Sequence, residues 1–113
     1  MRLKSGIWVA AYLRRCAIEG AFAVLRQRGA EDAGAIFVQI DKLDGTVALF
    51  GPAPQSLADE DTGVRLFTLI PLREPTAAAA NIRLQREREF DSDLWIVDVE
   101  DREGRHFLDL AKE

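Results

Sequence analysis

The sequence is poor in the residues that most often carry out catalysis or bind metal ions. Its 113 residues include one cysteine, Cys16, and one histidine, His106. A single cysteine excludes a disulfide within the chain, and a reducing compartment fits that composition. Zinc sites are built from clusters of cysteine and histidine ligands. We therefore expect neither a metal site nor a bound cofactor.

The chain also lacks a long apolar run. The N-terminal run over residues 6–13 is much shorter than the roughly 18 residues that a membrane span requires. Basic residues precede this run and an Ala-Phe-Ala box follows it, as in a secretory signal, but Arg14 and Arg15 interrupt the segment. We therefore expect a cytoplasmic protein with no membrane association.

Lysine is scarce and the overall charge is mildly acidic. Arginines outnumber lysines 12 to 3, while the formal net charge is −4. Generic binding to nucleic acid needs a basic face that neutralises phosphates, so nucleic acid is not the expected partner. An arginine-rich set of cations favours planar, two-point contacts with any anion that does bind.

The remaining composition is that of an ordinary folded domain. Apolar residues make up 48% and charged residues 30% of the chain. These fractions are typical of globular proteins, and 113 residues can bury a sizeable core. We predict one domain over residues 1–113.

The clearest structural signal is the dipeptide Asp44-Gly45. It separates two apolar, β-branched and aromatic runs, Ala35–Ile40 and Thr46–Phe50. Asp-Gly between such runs is a strong β-hairpin signal, because both residues tolerate the left-handed backbone conformation of a tight turn. Both faces of the hairpin are apolar, which is typical of strands that are covered on both sides. Since one helix cannot cover both faces, either the sheet curls or a second protomer completes the burial.

A helix is predicted ahead of this hairpin and a second one after it. Ser5 is a candidate cap for a helix that ends near Glu19, with Gly20 as its stop. A strand over Ile7–Leu13 is the alternative. At 100° per residue the residues expected on the buried stripe of this helix are Val9, Ala10, Leu13, Cys16 and Ala17.

The second predicted helix is weakly amphipathic. It opens at Pro75-Thr76 and runs to about Glu89. The best candidate for its buried stripe is Ala79, Ile82, Arg86 and Phe90. Because this stripe contains an arginine, its guanidinium would have to reach past the apolar surface to water.

Alternating apolar residues predict further strands around the hairpin. These strands are Ala21–Arg28, Val64–Leu72, Leu94–Val99 and Arg105–Leu110. The fold class is therefore α+β, with a mostly antiparallel sheet of about five to six strands, an N-terminal helix, and a second helix before a C-terminal hairpin. Short connections favour antiparallel pairing.

No catalytic constellation is visible. Cys16 falls on the buried stripe of the first helix, where a thiol acts as a small hydrophobic group, and His106 lies in a predicted strand without a partner. The acidic run Asp59–Asp61 lacks the spacing of a calcium loop and is better explained as a solvated loop. Asp91 and Asp93 favour turns, although together with Arg86 they form the one enzyme hypothesis that we retain.

Arginines provide the one constellation that suggests binding. Candidates for an anion site leave the first helix, the following strand and the second helix: Arg14, Arg15, Arg26, Arg28, Arg83, Arg86 and Arg88. They converge only if both helices pack on the same face of the sheet. Glutamates lie between them, and paired, solvated charges are the preferred interpretation.

Three segments together resemble a known family. They are RLKSGIWVAAYLRR near the start, DAGAIFVQIDKLDGTVALFGPAP in the middle and REREFDSDLWIVDVED near the end. In this order they resemble the family of short bacterial proteins called domain of unknown function 1491. The resemblance covers nearly the whole chain and implies a small stand-alone protein, but it implies no catalytic residues.

The sequence favours a binding or assembly module that is not an enzyme. Doubly apolar strands and two modest helices predict that the protein forms a homo-oligomer, with a dimer as the simplest form. A protein partner is the second possibility. The alternative function is a small binder of a phosphate-bearing ligand or nucleic acid through the arginines named above.

Overall fold

The computed structural model describes residues 3–54 and 63–112. In chain order the elements are α1 (Ser5–Ile18), β1 (Phe22–Gln27), β2 (Ile36–Asp41), β3 (Val47–Pro52), β4 (Phe67–Ile70), α2 (Ala77–Phe90) and β5 (Trp95–Glu100). An N-terminal helix and a second helix ahead of the last strand confirm the predicted α+β class. The predicted acidic loop Asp59–Asp61 lies outside the described residues.

The five strands form a sheet with the order β1-β5-β2-β3-β4. Neighbouring strands are antiparallel in three pairs, β1 with β5, β2 with β3, and β3 with β4, while β2 and β5 run parallel. Short connections produce antiparallel hairpins, whereas a parallel pair needs a long crossover, and here the chain passes through β3, β4 and α2 before it reaches β5. The mostly antiparallel prediction is therefore confirmed.

The Asp44-Gly45 turn forms as predicted. The carboxylate of Asp44 accepts hydrogen bonds from the backbone N–H and the hydroxyl of Thr46, at 2.9 and 2.6 Å. Gly45 has a φ of 90°, which a residue with a side chain rarely adopts. The strands on either side begin one residue later than the sequence indicated, with Asp41 opposite Val47.

Each helix covers a different face of the sheet. On the α1 face, Ile36, Val38 and Ile40 of β2 pack in one cluster with Val9 and Cys16 of α1. The C-terminal segment, residues 104–112, also covers this face. The doubly apolar strands are thus buried within one chain by two helices, with no curling of the sheet required.

The α2 face has a smaller core. Phe37, Leu49 and Ile96 of the sheet pack there with Leu84 of α2 and Leu94. Strands β2 and β5 contribute to both clusters, which explains why their sequences are apolar on both faces.

The rotation of α1 differs from the prediction. Its buried residues are Ser5, Val9, Tyr12 and Cys16, while Ala10 and Ala17 are exposed. Tyr12 turns inward because its ring stacks on Trp8, with centroids 4.9 Å apart, and its hydroxyl donates to the backbone oxygen of His106. Ser5 does not cap the helix: Lys4 is at the cap position, and the Ser5 hydroxyl donates to the Gly34 oxygen at 2.6 Å.

The predicted buried stripe of α2 is wrong. The buried residues are Ala80 and Leu84, whereas Ile82 is 70% and Phe90 87% exposed. Leu84 determines the rotation because it is the large apolar side chain that fits the cluster of Phe37, Leu49 and Ile96. Thr76 begins the helix as expected, since its hydroxyl accepts the Ala79 N–H at 3.2 Å.

The second strand of the predicted C-terminal hairpin, Arg105–Leu110, does not form. Within it only Leu110 makes a bridge, in parallel with Phe67 of β4. A strand that turned back from β5 would have to pair beside it, but β1 and β2 already occupy both edges of β5. The chain therefore leaves the sheet, crosses the α1 face and reaches the edge of β4.

Candidate functional site

The seven arginines that the sequence nominated for anion binding do not share one site. Two of them, Arg14 and Arg15, lie on α1, and three lie on α2, on the other face of the sheet. Convergence required both helices on the same face, and that arrangement is not observed. Anion binding by individual arginines stays a prediction.

Arg26 lies in a polar network on the α2 face. Its guanidinium donates to both carboxylate oxygens of Asp98 on β5, at 2.8 and 2.6 Å. It also donates to the side-chain oxygens of Asn81 on α2 and Gln39 on β2. These contacts use the guanidinium for internal structure, because a carboxylate satisfies its charge.

Two further arginines contact β1 or the loop that follows it. Arg88 donates to the side-chain oxygens of Gln27 on β1 and Gln85 on α2, so it joins the end of α2 to β1. Arg28 lies 3.6 Å from a carboxylate oxygen of Glu31, and its guanidinium stands 5.4 Å from the ring centre of Trp95. The Arg88 contacts thus link two elements, whereas the Arg28–Glu31 pair is a surface contact in which both side chains are more than half exposed.

On the α1 face, two guanidinium groups lie close to the ring of Phe107. Those of Arg15 and Arg105 stand 5.8 and 5.2 Å from the centre of its ring. Arg105 in turn donates to both carboxylate oxygens of Asp101, and this contact holds the pKa of Asp101 below its usual range. Phe107 has a φ of 56°, a conformation that bulky residues rarely adopt.

The enzyme hypothesis required Asp91, Asp93 and Arg86 in one concave pocket. All three are exposed. A carboxylate oxygen of Asp91 accepts the Asp93 N–H at 2.9 Å, which is the turn-making contact that the sequence also suggested. Arg86 lines a shallow depression on the outer side of α2 to which neither aspartate contributes.

The lone cysteine and histidine both lie on the α1 face, Cys16 within its core and His106 beside Phe50 of that core. Cys16 is 0% exposed, and burial raises the pKa of its thiol, so the thiolate is disfavoured. Burial also lowers the pKa of His106, whose Nδ1 accepts the Leu108 N–H at 2.9 Å. Within residues 3–54 and 63–112 no three acidic, histidine or cysteine side chains are grouped to hold a metal ion.

The two edges of the sheet differ, and the sequence did not reveal this. Strand β1 pairs with β5 alone among the described residues, so its other side is open. On this strand Phe22 is 63% and Val24 41% exposed. At the opposite edge, β4 exchanges backbone hydrogen bonds with the C-terminal segment, from Phe67 N–H to Asp109 and from Ala111 N–H to Phe67.

A groove at the β4 end of the α2 face is the second feature that sequence reasoning missed. It is an open groove of about 440 Å³ between α2 and the β3–β4 hairpin. Phe37, Gly51 and Ile70 line it, together with Arg83 and Glu87 of α2. From the sequence, Gly51 was expected only to end a strand. The groove was not predictable, because the elements that form it are distant along the chain.

Neither helix of the described chain is long and apolar enough to cross a membrane.

Comparison with known proteins identifies the family. The model of a family described as protein of unknown function, DUF1491, matches residues 3–109. A DUF1491 family protein from Caulobacter crescentus CB15 has a similar crystal structure, with 35% identity, a TM-score of 0.81 and 100% of both chains covered. An NMR structure of a DUF1491 family protein from that organism gives 36% identity, a TM-score of 0.80 and coverage of 100% of this chain and 99% of that chain.

A third solved structure is that of protein Atu0922 from A. tumefaciens, which is 45% identical to this chain. The two structures match with a TM-score of 0.84, over 100% of this chain and 98% of Atu0922. No curated protein matches the chain. The match over residues 3–109 and the agreement in fold along whole chains show that this protein belongs to the DUF1491 family.

Proposed function

We propose that the protein is a non-enzymatic assembly module that forms a homodimer by pairing the β1 strands of two copies. The observation that carries this proposal is the open side of β1, where Phe22 and Val24 are exposed. An open edge strand presents unpaired N–H and C=O groups and is a template for another strand. A two-fold axis lets each copy satisfy the edge of the other.

The choice of β1 over β4 follows from how each edge is protected. Strand β4 has four residues and is bridged by Leu110 of the C-terminal segment. Strand β1 has six residues, contains no proline or lysine, and has no such cover among the described residues. Natural sheets protect edges with short strands, prolines, charges and bulges. Strand β1 has a charge, Arg26, and an irregularity between Leu25 and Gln27, but both lie towards its C-terminal end and leave Phe22, Ala23 and Val24 regular.

The side chains of β1 suit an antiparallel pair. With Ala23 on the two-fold axis, Phe22 of each copy stands opposite Val24 of the other, on the α2 face. Aromatic and β-branched residues in such cross-strand pairs contribute roughly 0.2–1 kcal/mol each. The nearest charge, Arg26, is already paired with Asp98 and does not face its own copy in this register.

The flank of α1 near β1 can also contribute. Trp8 and Tyr12 face the other way, since Trp8 contacts Phe67 of β4 and Tyr12 contacts the C-terminal segment. The opposite flank carries Ala10, Arg14 and Ala17, all of them exposed. In a dimer joined at β1, the two α1 helices lie on the same side of the joined sheet, and Ala10 and Ala17 leave room on either side of Arg14 for them to approach.

We also propose a cytoplasmic location in a bacterium. Cys16 is the single cysteine of the chain and is a free, buried thiol, which is ordinary for a reducing compartment. The relatives with solved structures come from the bacteria C. crescentus and A. tumefaciens. Binding of a phosphate-bearing ligand or nucleic acid through an arginine cluster is the weaker proposal, because the seven arginines lie on both faces of the sheet.

The test is the molar mass in solution, measured by light scattering and by native mass spectrometry. We expect the wild type to be a dimer and Val24→Lys to be a monomer, because the lysine would face Phe22 of the second copy. Leu69→Lys is the matched control: Leu69 is 57% exposed on β4, at the other edge, and the variant should remain a dimer.

Circular dichroism of both variants establishes that each is folded. A monomeric wild type, or a Val24→Lys variant that is folded and still dimeric, would overturn the proposal.

A further inference from the structure

The groove between α2 and the β3–β4 hairpin has an apolar floor. Phe37, Gly51 and Ile70 form this floor, and the two large side chains also belong to the core of the α2 face. A Cβ atom at Gly51 would lie 2.8 Å from side-chain atoms of both Phe37 and Ile70. The glycine therefore lets the backbone of β3 lie against these side chains, and apolar surface in a concavity of about 440 Å³ is typical of small-molecule sites.

One cationic group with available donors borders this floor. Nε of Arg83 donates to a carboxylate oxygen of Glu87 at 2.9 Å, one helical turn along α2. Within the described residues the two terminal nitrogens of Arg83 make no hydrogen bond to the protein. A guanidinium carries five N–H donors, so Arg83 retains donors for a planar anion.

Glu87 influences which anion fits. By holding Nε it fixes the orientation of the Arg83 guanidinium, whose side chain is about one-third exposed. Its own negative charge repels a second anion, and this repulsion grows with the charge of the ligand. A singly charged carboxylate is therefore favoured over a phosphate dianion. Thr68, half-buried on β4, offers a hydroxyl across the groove.

We propose that this groove binds a small amphiphilic carboxylate. Its apolar body packs on Phe37, Gly51 and Ile70, and its carboxylate accepts hydrogen bonds from the terminal nitrogens of Arg83. This site is separate from the proposed dimer contact, because β4 and β1 are the two opposite edges of the sheet. Binding and dimer formation can therefore be tested independently.

The experiment is a titration of isotopically labelled protein with octanoate, followed by amide NMR. We expect the largest shifts at Phe37, Gly51 and Thr68. 1-Octanol has a carbon chain of the same length but no charge, and acetate has the same head group but no tail. Both should bind at least tenfold more weakly than octanoate, because the first loses the hydrogen bonds between charged groups and the second loses the apolar contact with the floor.

Variants isolate the role of the guanidinium. Arg83→Gln should lower the affinity for octanoate about tenfold, to the level of 1-octanol, and leave the affinity for 1-octanol unchanged. Arg86→Gln is the matched control, because Arg86 is an exposed residue of α2 that does not line the groove, and it should bind octanoate as the wild type does.

Three results would overturn the proposal: no octanoate-dependent shifts at the groove, equal affinity of Arg83→Gln and wild type for octanoate, or equal loss in Arg86→Gln. None of these depends on the oligomeric state. A dimer that fails to bind octanoate would remove the groove proposal alone.

Discussion

Arg26 of β1 and Asp98 of β5 are joined by two hydrogen bonds, from Nε at 2.8 Å and from Nη2 at 2.6 Å. The same guanidinium donates to Asn81 of α2 and to Gln39 of β2. One side chain on the open edge strand thus contacts two other strands and a helix. This contact holds β1 against the sheet whether or not a second copy pairs with it.

The pair should stabilise the fold measurably. In a double-mutant cycle of Arg26→Met and Asp98→Asn, we expect a coupling free energy of about 1 kcal/mol, because the contact is two-pointed and less than one-third of each side chain is exposed. Urea unfolding measures each free energy. Arg86→Met, an exposed change on α2, should alter stability by less than about 0.5 kcal/mol. Strictly additive effects of the two substitutions would contradict the coupling.

The hydroxyl of Tyr12 ties α1 to the C-terminal segment. It donates to the backbone oxygen of His106 at 2.6 Å. Tyr12→Phe leaves that oxygen without its donor, and we expect a loss of about 1–2 kcal/mol in the free energy of unfolding. The N–H of Ala111, which bonds to Phe67, should then exchange with solvent faster, while the N–H of Trp95 in the sheet should keep its relative protection. Unchanged exchange at Ala111 would show that Tyr12 does not hold this segment.

Local signals made several elements predictable from the sequence. The Asp44-Gly45 turn, the Gly20 stop and the Thr76 start each depend on contacts within a few residues, and each forms as expected. Helix rotation depends instead on distant partners. Tyr12 faces inward because of His106, and no nearby residue indicates that contact.

The missing second strand of the predicted hairpin has the same cause. The apolar residues of Arg105–Leu110 are compatible with a strand, but a strand needs a free neighbour, and β5 lies between β1 and β2. In this arrangement α1 and α2 lie on opposite faces of the sheet, so the arginines of α1 are separated from those of α2. The open side of β1 and the groove at Gly51 arise from the strand order, so the sequence pattern could not reveal them.

Gly20 ends α1 in a conformation that favours glycine. Its φ is 87°, and the N–H groups of Gly20 and Ala21 donate to Ala17 and Cys16 of the last turn. Gly20→Ala should cost about 1–2 kcal/mol, although the added methyl group would meet no atom within 4 Å. Asparagine tolerates this conformation better than alanine does, so Gly20→Asn should cost less stability than Gly20→Ala. Thermal unfolding of the two variants and the wild type measures both losses. Equal losses in the two variants would mean that the backbone conformation is not the cause.

Stability should decline between about pH 7 and pH 5 because of His106. Burial lowers the pKa of its imidazole below the usual 6.5, so the unfolded chain takes up a proton at a higher pH than the folded chain does. The free energy of unfolding is therefore unaffected by this group well above pH 6.5, and it falls as the pH drops towards the folded pKa. Asp101 acts at lower pH, because its pKa is lowered from 3.8 and its contribution is lost only as the pH falls through that lowered value.

His106→Asn separates this imidazole from the other groups. Its side-chain oxygen can accept the Leu108 N–H in place of Nδ1, and it does not titrate. Urea unfolding at about pH 7.5 and about pH 5 should show a smaller difference in stability for the variant than for the wild type. If both proteins lose the same stability over that interval, the imidazole is not the group responsible. If the variant loses less, protonation of His106 weakens the C-terminal segment, since a protonated Nδ1 can no longer accept the N–H that orders the chain beside Phe107.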